Sequence, residues 1–399
     1  MKKGIRETEA EWKQRPERTV GIDLGDRFSR YCVLNGEGEV MEEGQVRTNE
    51  AGFRRHWEGE PRQRMVIETG THSPWISRLL QSFGHPVIVA NARKLRAISQ
   101  NESKNDRQDA EMLARLGYCD PKLLAPIRHR SAERQRDLNL LRARDTLVRA
   151  RTMLINATRG LVKSAGGRLP AAASDYFVVR VSAAVPPELE AATQPLLHQI
   201  AALTAEIRGL DQAIEKLVER YPEIAILRTV PGVGPVIAAA YVLTLDGVDA
   251  VQRSRSVGAF LGLRPRQSQS GNSDPQHNIS KTGNVYLRRL LVQAAHYTLG
   301  RFGPDSALRR WGLKLAAGGK RAKQRAVVAV ARKLAVLLHH LWRTGQHYRN
   351  FPQDAASAVA LQSTVASSSS RVVQSGTNQV GRRRLSPDSS SPDSLRPVH

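Results

Sequence analysis

Short apolar runs and helical patterns alternate over the first third of the chain. Helical patterns lie near 50–57, 72–83 and 106–117. The runs predict five strands, with a turn at Gly36–Gly38 between the second and the third: TVGIDLG from Thr19, RYCVLN, EVMEEGQVRT, MVIETG (65–70) and PVIVA (86–90). The order β-β-β-α-β-α-β-α is typical of an α/β domain with a mixed sheet.

Apolar heptads follow and predict two long helices, over 138–164 and 193–220. We expect a coiled-coil arm, either as an antiparallel hairpin within one chain or as a seam for a second copy. The apolar rows that predict it are Leu140, Leu147, Leu154 and Leu161, then Leu196, Ile200, Leu203, Ile207, Leu210, Ile214 and Leu217. Five arginines of the first helix are predicted to lie off this seam and to follow phosphates: Arg142, Arg144, Arg149, Arg151 and Arg159.

Changes in composition divide the chain into five predicted segments. The last of them is rich in Ser, Gln and Pro and predicts disorder. We expect a flexible N-terminus (1–17), the α/β domain (18–128), the helical arm (129–222), a mainly helical C-terminal domain (223–345) and a disordered tail (346–399).

The charge of the chain favours a polyanionic partner. It has 61 Lys+Arg against 37 Asp+Glu, a formal net charge of +24, which is typical of proteins that bind nucleic acid.

The two cysteines, Cys32 and Cys119, form neither a disulfide framework nor a zinc-binding spacing. With no signal peptide and no apolar run of membrane-spanning length, we expect a cytoplasmic, nucleoid-associated protein without a membrane partner.

Four carboxylates are candidates for a metal site. Asp23 lies inside the first strand and Glu68 ends the fourth, where an ionised side chain is costly unless it is paired or binds a metal. Asp106 and Asp109 are three residues apart at a helix start and share one face. If the four meet at one end of the sheet, they suit Mg²⁺ or Mn²⁺, and such a site performs phosphoryl transfer.

Each carboxylate also has a simpler interpretation. GIDLG opens actin-like ATPases and sugar kinases as well, but those need a second phosphate loop and an adenosine motif, which the sequence lacks. Asp106 and Asp109 could serve only as a helix cap and as partners of the helix dipole. Glu68 could simply face solvent, and a non-enzymatic nucleic-acid-binding protein would need none of the four.

Two segments of the C-terminal domain are candidates for DNA contact. LRTVPGVGPVIAAAYV (227–242) predicts a helix-hairpin-helix-like element, whose turn, with Gly232 and Gly234, offers backbone N–H groups to a phosphate. Downstream, Ser270 precedes Gly271 on a basic loop and is a candidate nucleophile. On the residues alone Ser268 and Ser273 are equal rivals. The basic residues near this loop are Arg264, Arg266, Lys281, Arg288 and Arg289.

Together these motifs resemble the IS110 family of insertion-sequence transposases. VGIDLG, VIETG and KNDRQDA are similar to its N-terminal DEDD domain. PGVGPVIAAAYV, GLRPRQSQSG and KTGNVYLRRLLVQAA are similar to its C-terminal transposase domain. The resemblance covers about residues 19–345. The chain departs from the family at Asn105, where members often have Thr, and in the loop 272–282, which is less basic than in some members.

The resemblance implies a RuvC-like, ribonuclease-H-like α/β fold for the N-terminal domain. Asp23, Glu68, Asp106 and Asp109 match the family's metal-binding carboxylates, and Ser270 matches its catalytic serine. Family members recombine DNA, with the carboxylates of one subunit beside the serine of another, and some are guided by a bridge RNA. We therefore expect this chain to form a homo-oligomer, a dimer or a tetramer. The implied DNA partners are the element ends and the target. The alternative is a RuvC-like Holliday-junction or structure-specific nuclease, which would need neither Ser270 nor the C-terminal domain.

Overall fold

The computed structural model describes residues 16–92, 106–269, 275 and 277–351. Nearly all of the predicted flexible N-terminus (1–17) and of the predicted tail (346–399) lies outside these residues. The described part of the chain contains no helix that combines the length and apolarity needed to cross a membrane.

The five predicted strands are present and form one mixed sheet in the order β3-β2-β1-β4-β5. β1 pairs antiparallel with β2, and β2 with β3, whereas β4 pairs parallel with both β1 and β5. The central strands β1 and β4 are buried along nearly their whole length, which explains why they appear as apolar runs. The strands are β1 (Thr19–Asp23), β2 (Phe28–Leu34), β3 (Val40–Arg47), β4 (Arg64–Glu68) and β5 (Val87–Ala90).

Helices cover both faces of this sheet. On one face α1 (Glu50–Trp57) and α2 (Ser73–Ser82) pack through Phe53 and Ile76 against Ile22 and Ile67. On the other face α3 (Asp106–Cys119) packs through Leu113 against Val66. The predicted mixed α/β domain is confirmed.

The approach of α3 to β1 depends on a glycine. A Cβ built at Gly21 would lie 2.1 Å from the carbonyl oxygen of Ala110 and 2.4 Å from the backbone nitrogen of Ala114. Both atoms belong to the helix backbone and cannot rotate away. Gly21 and the two alanines therefore allow α3 to lie directly on the strand that carries Asp23.

The predicted arm is an antiparallel helical hairpin within one chain. It consists of α4 (Ala132–Ser164) and α6 (Glu190–Glu215), with the short helix α5 (Phe177–Val181) in the connection. Arg144 of α4 donates to the carboxylate of Asp211. Nearer the tip, Nη1 of Arg151 lies 3.3 Å from Oγ1 of Thr204. Because the later α4 residue meets the earlier α6 residue, the two helices run in opposite directions.

The buried stripe of this hairpin differs from the predicted seam. On α4 the buried positions include Leu141, Arg151, Ile155 and Val162, whereas the predicted leucines are half-buried or, at Leu161, 39% exposed. The prediction that Arg144 and Arg151 lie off the seam is wrong, since both pair with acids or hydroxyls between the helices. Apolar spacing alone did not reveal it, because an arginine with a partner can occupy an interhelical position.

On α6 the stripe is also displaced. Ile200, Ile207 and Ile214 are buried as predicted, but Leu196, Leu203 and Leu210 are only half-buried. Leu196 and Leu203 directly precede buried residues, and Leu210 directly precedes Asp211, which contacts α4. On α4, Leu140, Leu154 and Leu161 likewise directly precede buried residues. In two antiparallel helices, rows displaced in the same sense lie on the same flank. The two leucine rows therefore lie on one flank of the arm.

Among the described residues, seven further α-helices, α7 to α13, build the C-terminal domain, with α9 at its centre, where all residues from Ala238 to Leu245 are buried. The hydroxyl of Tyr241 donates to the carbonyl of Ala335 at 2.6 Å and joins α9 to α13. The helices are α7 (Leu217–Arg220), α8 (Glu223–Arg228), α9 (Pro235–Leu245), α10 (Val257–Phe260), α11 (Val285–Leu299), α12 (Ala307–Ala316) and α13 (Lys320–Thr344). The predicted mainly helical character is confirmed.

The segment after α3 connects the sheet to this helical domain. Ile127 forms a bridge with Val89 of β5. Three residues later, Arg130 donates from Nε and Nη2 to the carbonyls of Leu243 and Thr244, both at 2.7 Å. These are C-terminal carbonyls of α9, which attract a cation. Burial, with repulsion from Arg78 and Arg130, lowers the pKa of His129 to about 4, so this connection carries a neutral imidazole at pH 7.

Candidate active site and nucleic-acid interface

Asp23 and Glu68 end neighbouring parallel strands. The register pairs Ile22 with Ile67, so the two carboxylates follow at the same level at the carboxyl end of β1 and β4. Side chains two residues apart in a strand point to the same face. Asp23 therefore lies on the same face of the sheet as Gly21, and Glu68 on the same face as Val66. Because Gly21 and Val66 both contact α3, this is the face that α3 covers. Asp23 and Glu68 are half-buried at this edge.

The direction of α3 brings Asp106 and Asp109 toward the same edge. Thr19, at the beginning of β1, lies beside Gly117, whereas Gly21 lies beside Ala110. The helix therefore runs antiparallel to β1, and its first residues extend toward the end of the strand that carries Asp23. Asp106 is exposed and Asp109 half-buried in this first turn.

The donor set at this edge is chemically suited to a hard cation. Carboxylate oxygens are ligands that Mg²⁺ and Mn²⁺ prefer, and binding outside the carboxyl ends of strands is common in α/β sheets. Among the described residues, no three His, Cys, Asp or Glu side chains lie close enough together to hold a metal ion. The segment 93–105, which directly precedes Asp106 and includes Asn105, lies outside the described residues.

Sequence reasoning missed polar residues at the same edge. Arg30 of β2 is the cross-strand partner of Asp23, and directly opposed residues share a face. Asp26, in the turn after β1, lies 3.6 Å from Nε2 of His72, which follows β4. Only the strand pairing identifies these neighbours. An exposed arginine beside Asp23 adds a positive charge where a phosphate would approach.

Cys32 lies on the same face but is not a candidate nucleophile. Its side chain is buried beneath Ala110 and Ala114 of α3. Burial, with the negative charges of Glu43 and Glu111, raises the pKa of the thiol to about 11. The thiolate, which is the reactive form, is therefore scarce near neutral pH.

The candidate serine belongs to a loop, residues 267–277, whose two ends are paired and which we call the serine loop. Pro265 bridges Ile279 in antiparallel fashion. The backbone N–H of Arg266 donates to Asn278 at 3.0 Å, and that of Ser280 to Arg264 at 2.8 Å. Ser270, Gly271 and Ser273 lie outside the described residues, whereas the rival Ser268 is described and exposed.

Arg288 braces the base of this loop. It is 9% exposed, and its Nη1 donates to the carbonyls of Leu261 and Thr282, both at 2.9 Å. Gly262 and Gly283 lie beside these carbonyls at positive φ, and a Cβ at either would lie 2.1 Å from a backbone oxygen. The burial of Arg288 does not favour the phosphate contact expected from the sequence and indicates a positioning role instead.

We expect Arg288→Gln to lower the free energy of unfolding by about 2–3 kcal/mol, because it leaves buried carbonyls without a charged donor. Urea denaturation measures the loss. Arg289→Gln is the matched control, since Arg289 is the next residue and forms a half-exposed ion pair with Asp145. That pair should contribute at most about 1 kcal/mol. Equal losses for the two variants would contradict the bracing role.

The PGVG turn joins α8 to α9 as the sequence predicts. Gly232 has φ +85°, and a Cβ there would lie 2.7 Å from Cδ1 of Tyr297. Gly234 caps α9, with Pro235 in the first turn, and has open space around it. The turn thus requires glycine at position 232 because of the positive φ, whereas Gly234 remains accessible. First-turn N–H groups of a helix are suited to bind a phosphate.

Of the remaining predicted phosphate contacts, Arg159 is half-buried and donates to the carbonyls of Leu169 and Pro170, whereas the others lie on the surface. Arg264, Arg266 and Lys281 flank the serine loop and are exposed. Arg142 and Arg149 are exposed on the arm, where Arg149 forms a surface ion pair with Asp145. Exposed guanidinium and ammonium groups such as these can contact a nucleic-acid backbone.

Comparisons with known proteins agree with this arrangement. Residues 20–166 match a DEDD transposase model of the IS110 group, and residues 224–310 match the model described as Transposase IS116/IS110/IS902 family. The first match covers the sheet, α3 and α4. The second covers the PGVG turn and the serine loop.

Similar proteins include several transposases. The chain is 31% identical over 338 residues to the transposase for insertion sequence element IS1111A of Coxiella burnetii, which covers 83% of this chain and 91% of that protein. It is 28% identical over 283 residues to a probable family 20 transposase of Pseudomonas aeruginosa, and this alignment covers 69% of this chain and 82% of that protein. It is 27% identical over 388 residues to the putative transposase y4rJ of Sinorhizobium fredii, and this alignment covers 82% of this chain and 94% of that protein.

Both halves of the expected pattern are therefore present in order, and one relative is similar along 91% of its own length. The chain belongs to the IS110 family of insertion-sequence transposases.

Proposed function

We propose that the chain cuts and joins DNA strands through a divalent-metal site and a serine nucleophile. The metal ligands would be Asp23, Glu68, Asp106 and Asp109. The observation that supports the proposal most is the placement of Asp23 and Glu68 at one edge and on one face of the sheet, with the start of α3 directed to that edge. We attribute a ribonuclease-H-like fold to the N-terminal domain on the same ground.

The chemistry is divided between the two domains. Mg²⁺ or Mn²⁺, when bound by the carboxylates, would neutralise charge on the reacting phosphate. Oγ of Ser270 would lose its proton and form a bond to the phosphorus, while one ester P–O bond breaks and the released DNA hydroxyl takes up a proton. Attack by a hydroxyl of a second strand would reverse these steps, restoring the serine and joining the new strand.

Residues around the serine would position the phosphate. Arg264, Arg266 and Lys281 are exposed at the loop base and would neutralise its charge. Arg288 would act indirectly by holding the two ends of the loop together. The PGVG turn would bind a neighbouring phosphate of the same DNA through Gly232 and Gly234.

The family match over 224–310 favours a transposase over the alternative of a Holliday-junction nuclease, which would need no such domain. We also propose that a bridge RNA selects the target, on the ground of the family resemblance and of the net charge of +24.

We further propose that the active complex is a dimer or tetramer, with the carboxylates of one subunit beside the serine of another. The leucine flank of the arm supports this proposal. Leu147, Leu203 and Leu210 lie half-buried on it outside the described apolar clusters, and Leu161 is 39% exposed. Apolar rows with heptad spacing are suited to pack against a second copy.

Substitution of one carboxylate tests the metal site. We expect Asp23→Asn to reduce DNA cleavage about a thousandfold, because the loss of a charged ligand removes several kcal/mol of transition-state stabilisation. The measurement is cleavage of an element-end DNA at increasing Mg²⁺ or Mn²⁺, with DNA binding followed separately. Asp26→Asn is the matched control, since Asp26 lies at the same edge but is strongly exposed. Equal activity of Asp23→Asn and the wild type would refute the site.

A further inference from the structure

A second surface of the C-terminal domain carries charge of one sign. Between Asp305 and Asp354 the sequence has eleven Lys and Arg residues and no Asp or Glu. This stretch contains α12 and α13, and α13 lies beyond both segments matched by the family models, of which the second ends at residue 310. Near the middle of α13, the side chain of Arg332 packs against Gly258 of α10.

Three arginines form a straight row on the outer face of α13. Arg321, Arg325 and Arg332 follow one another at intervals of four and seven residues, which places them on one side of a helix. All three are exposed, whereas Ala322, Ala326 and Val330 turn toward the core. The row spans about 16 Å at the helical rise of about 1.5 Å per residue. We call it the α13 ridge.

The ridge is not neutralised within the described part of the chain. No ion pair joins Arg321, Arg325 or Arg332 to any described acid. The first turn of α13 contains no acid and adds Lys320 and Lys323, although the positive end of a helix dipole normally favours acids. The fold thus maintains a repulsive cluster that an anionic partner would relieve.

The chemistry of the ridge favours duplex backbone over unpaired bases. Single-stranded nucleic acid is usually bound by stacking bases on aromatic side chains. None of the exposed residues of α13 is Phe, Tyr or Trp: Trp342 is half-buried, and the half-buried Trp311 of α12 lies beneath the ammonium group of Lys333. Guanidinium groups in a regular row bind phosphates without reading bases.

We propose that the α13 ridge is a second DNA-binding surface, which holds the backbone of duplex DNA independently of sequence. It rests on the proposed function only in taking DNA as the partner. It would contribute affinity rather than chemistry.

The test is the salt dependence of binding by the full chain to a random-sequence DNA duplex without divalent cation. Each phosphate contact contributes about 0.9 to the slope of log K against log salt. We expect the triple variant Arg321→Gln, Arg325→Gln, Arg332→Gln to lower this slope by about 2–3. The corresponding triple Lys variant should retain most of it, because it keeps the charge.

The control removes the same charge elsewhere. Arg54→Gln, Arg55→Gln, Arg62→Gln changes three exposed arginines, two on α1 and one in the segment between α1 and β4. If the slope falls equally in both Gln variants, the loss of net charge alone explains the effect, and the proposal is overturned. An unchanged slope in the α13 variant, or a loss confined to a structured RNA of equal length, would also overturn it. Because the assay needs neither cleavage nor metal, its result stands whether or not the carboxylates and Ser270 act as proposed.

Discussion

Ser270→Ala should reduce strand exchange by a factor of about ten thousand or more while leaving DNA affinity unchanged. Removal of a covalent nucleophile eliminates the intermediate itself, and losses of this size or larger follow when such a residue is deleted. The exposed basic residues at the loop base stay in place, so phosphate binding should persist. The measurement is recombination between an element-end DNA and a target, alongside equilibrium binding of the same DNA.

The neighbouring serines provide matched controls for this prediction. Ser268→Ala and Ser273→Ala remove a hydroxyl from the same loop and should leave strand exchange within a few-fold of the wild type. If Ser268→Ala or Ser273→Ala is the inactive variant instead, the nucleophile has been assigned to the wrong serine. If all three variants recombine DNA normally, the covalent serine step does not occur.

The same variant also tests the shared active site. A mixture of Ser270→Ala and Asp23→Asn subunits should regain activity, since some composite sites then combine an intact carboxylate set with an intact serine. Activity that stays absent in mixed oligomers would indicate that each subunit supplies both halves of its own site.

The sheet domain could be predicted from the sequence because its signals are local. The buried strands β1 and β4 produce uninterrupted apolar runs, and a carboxylate at the end of each stands out against them. Their adjacency could not be read in the same way, since it depends on a parallel pairing between residues more than forty positions apart. Arg30 was missed for this reason, as its position beside Asp23 follows only from the β1–β2 register.

For the arm, the sequence predicted the helices but not the faces through which they contact each other. Leucine spacing predicted its helices, but two contacting faces that include Arg144 and Arg151 do not form an apolar pattern. Each guanidinium is accommodated by a specific partner on another segment, Asp211 or Asp175. Such pairing is a property of the folded hairpin, so the sequence favoured the more regular leucine rows, which lie on its flank.

Gly21→Ala should lower the free energy of unfolding by about 3 kcal/mol and weaken metal-dependent cleavage together with it. The added methyl would meet the Ala110 carbonyl oxygen at 2.1 Å and the Ala114 nitrogen at 2.4 Å. Overpacking costs about 1–3 kcal/mol where side chains can adjust, and here the obstacle is helix backbone. To relieve this clash, α3 and β1 must move apart, which separates Asp106 and Asp109 from the edge that carries Asp23.

Gly160→Ala is the matched control, because Gly160 is an exposed residue of α4 with open space around its Cα. That change should stabilise the protein by about 0.5–1 kcal/mol, since alanine loses less backbone freedom than glycine in a helix. Chemical denaturation gives both free energies, and amide hydrogen exchange along α3 reports the displacement. Wild-type stability and protection in Gly21→Ala would contradict the close approach. Lost protection in α3 with retained cleavage would instead separate Asp106 and Asp109 from the chemistry, because the helix that carries them would have moved while the reaction continued.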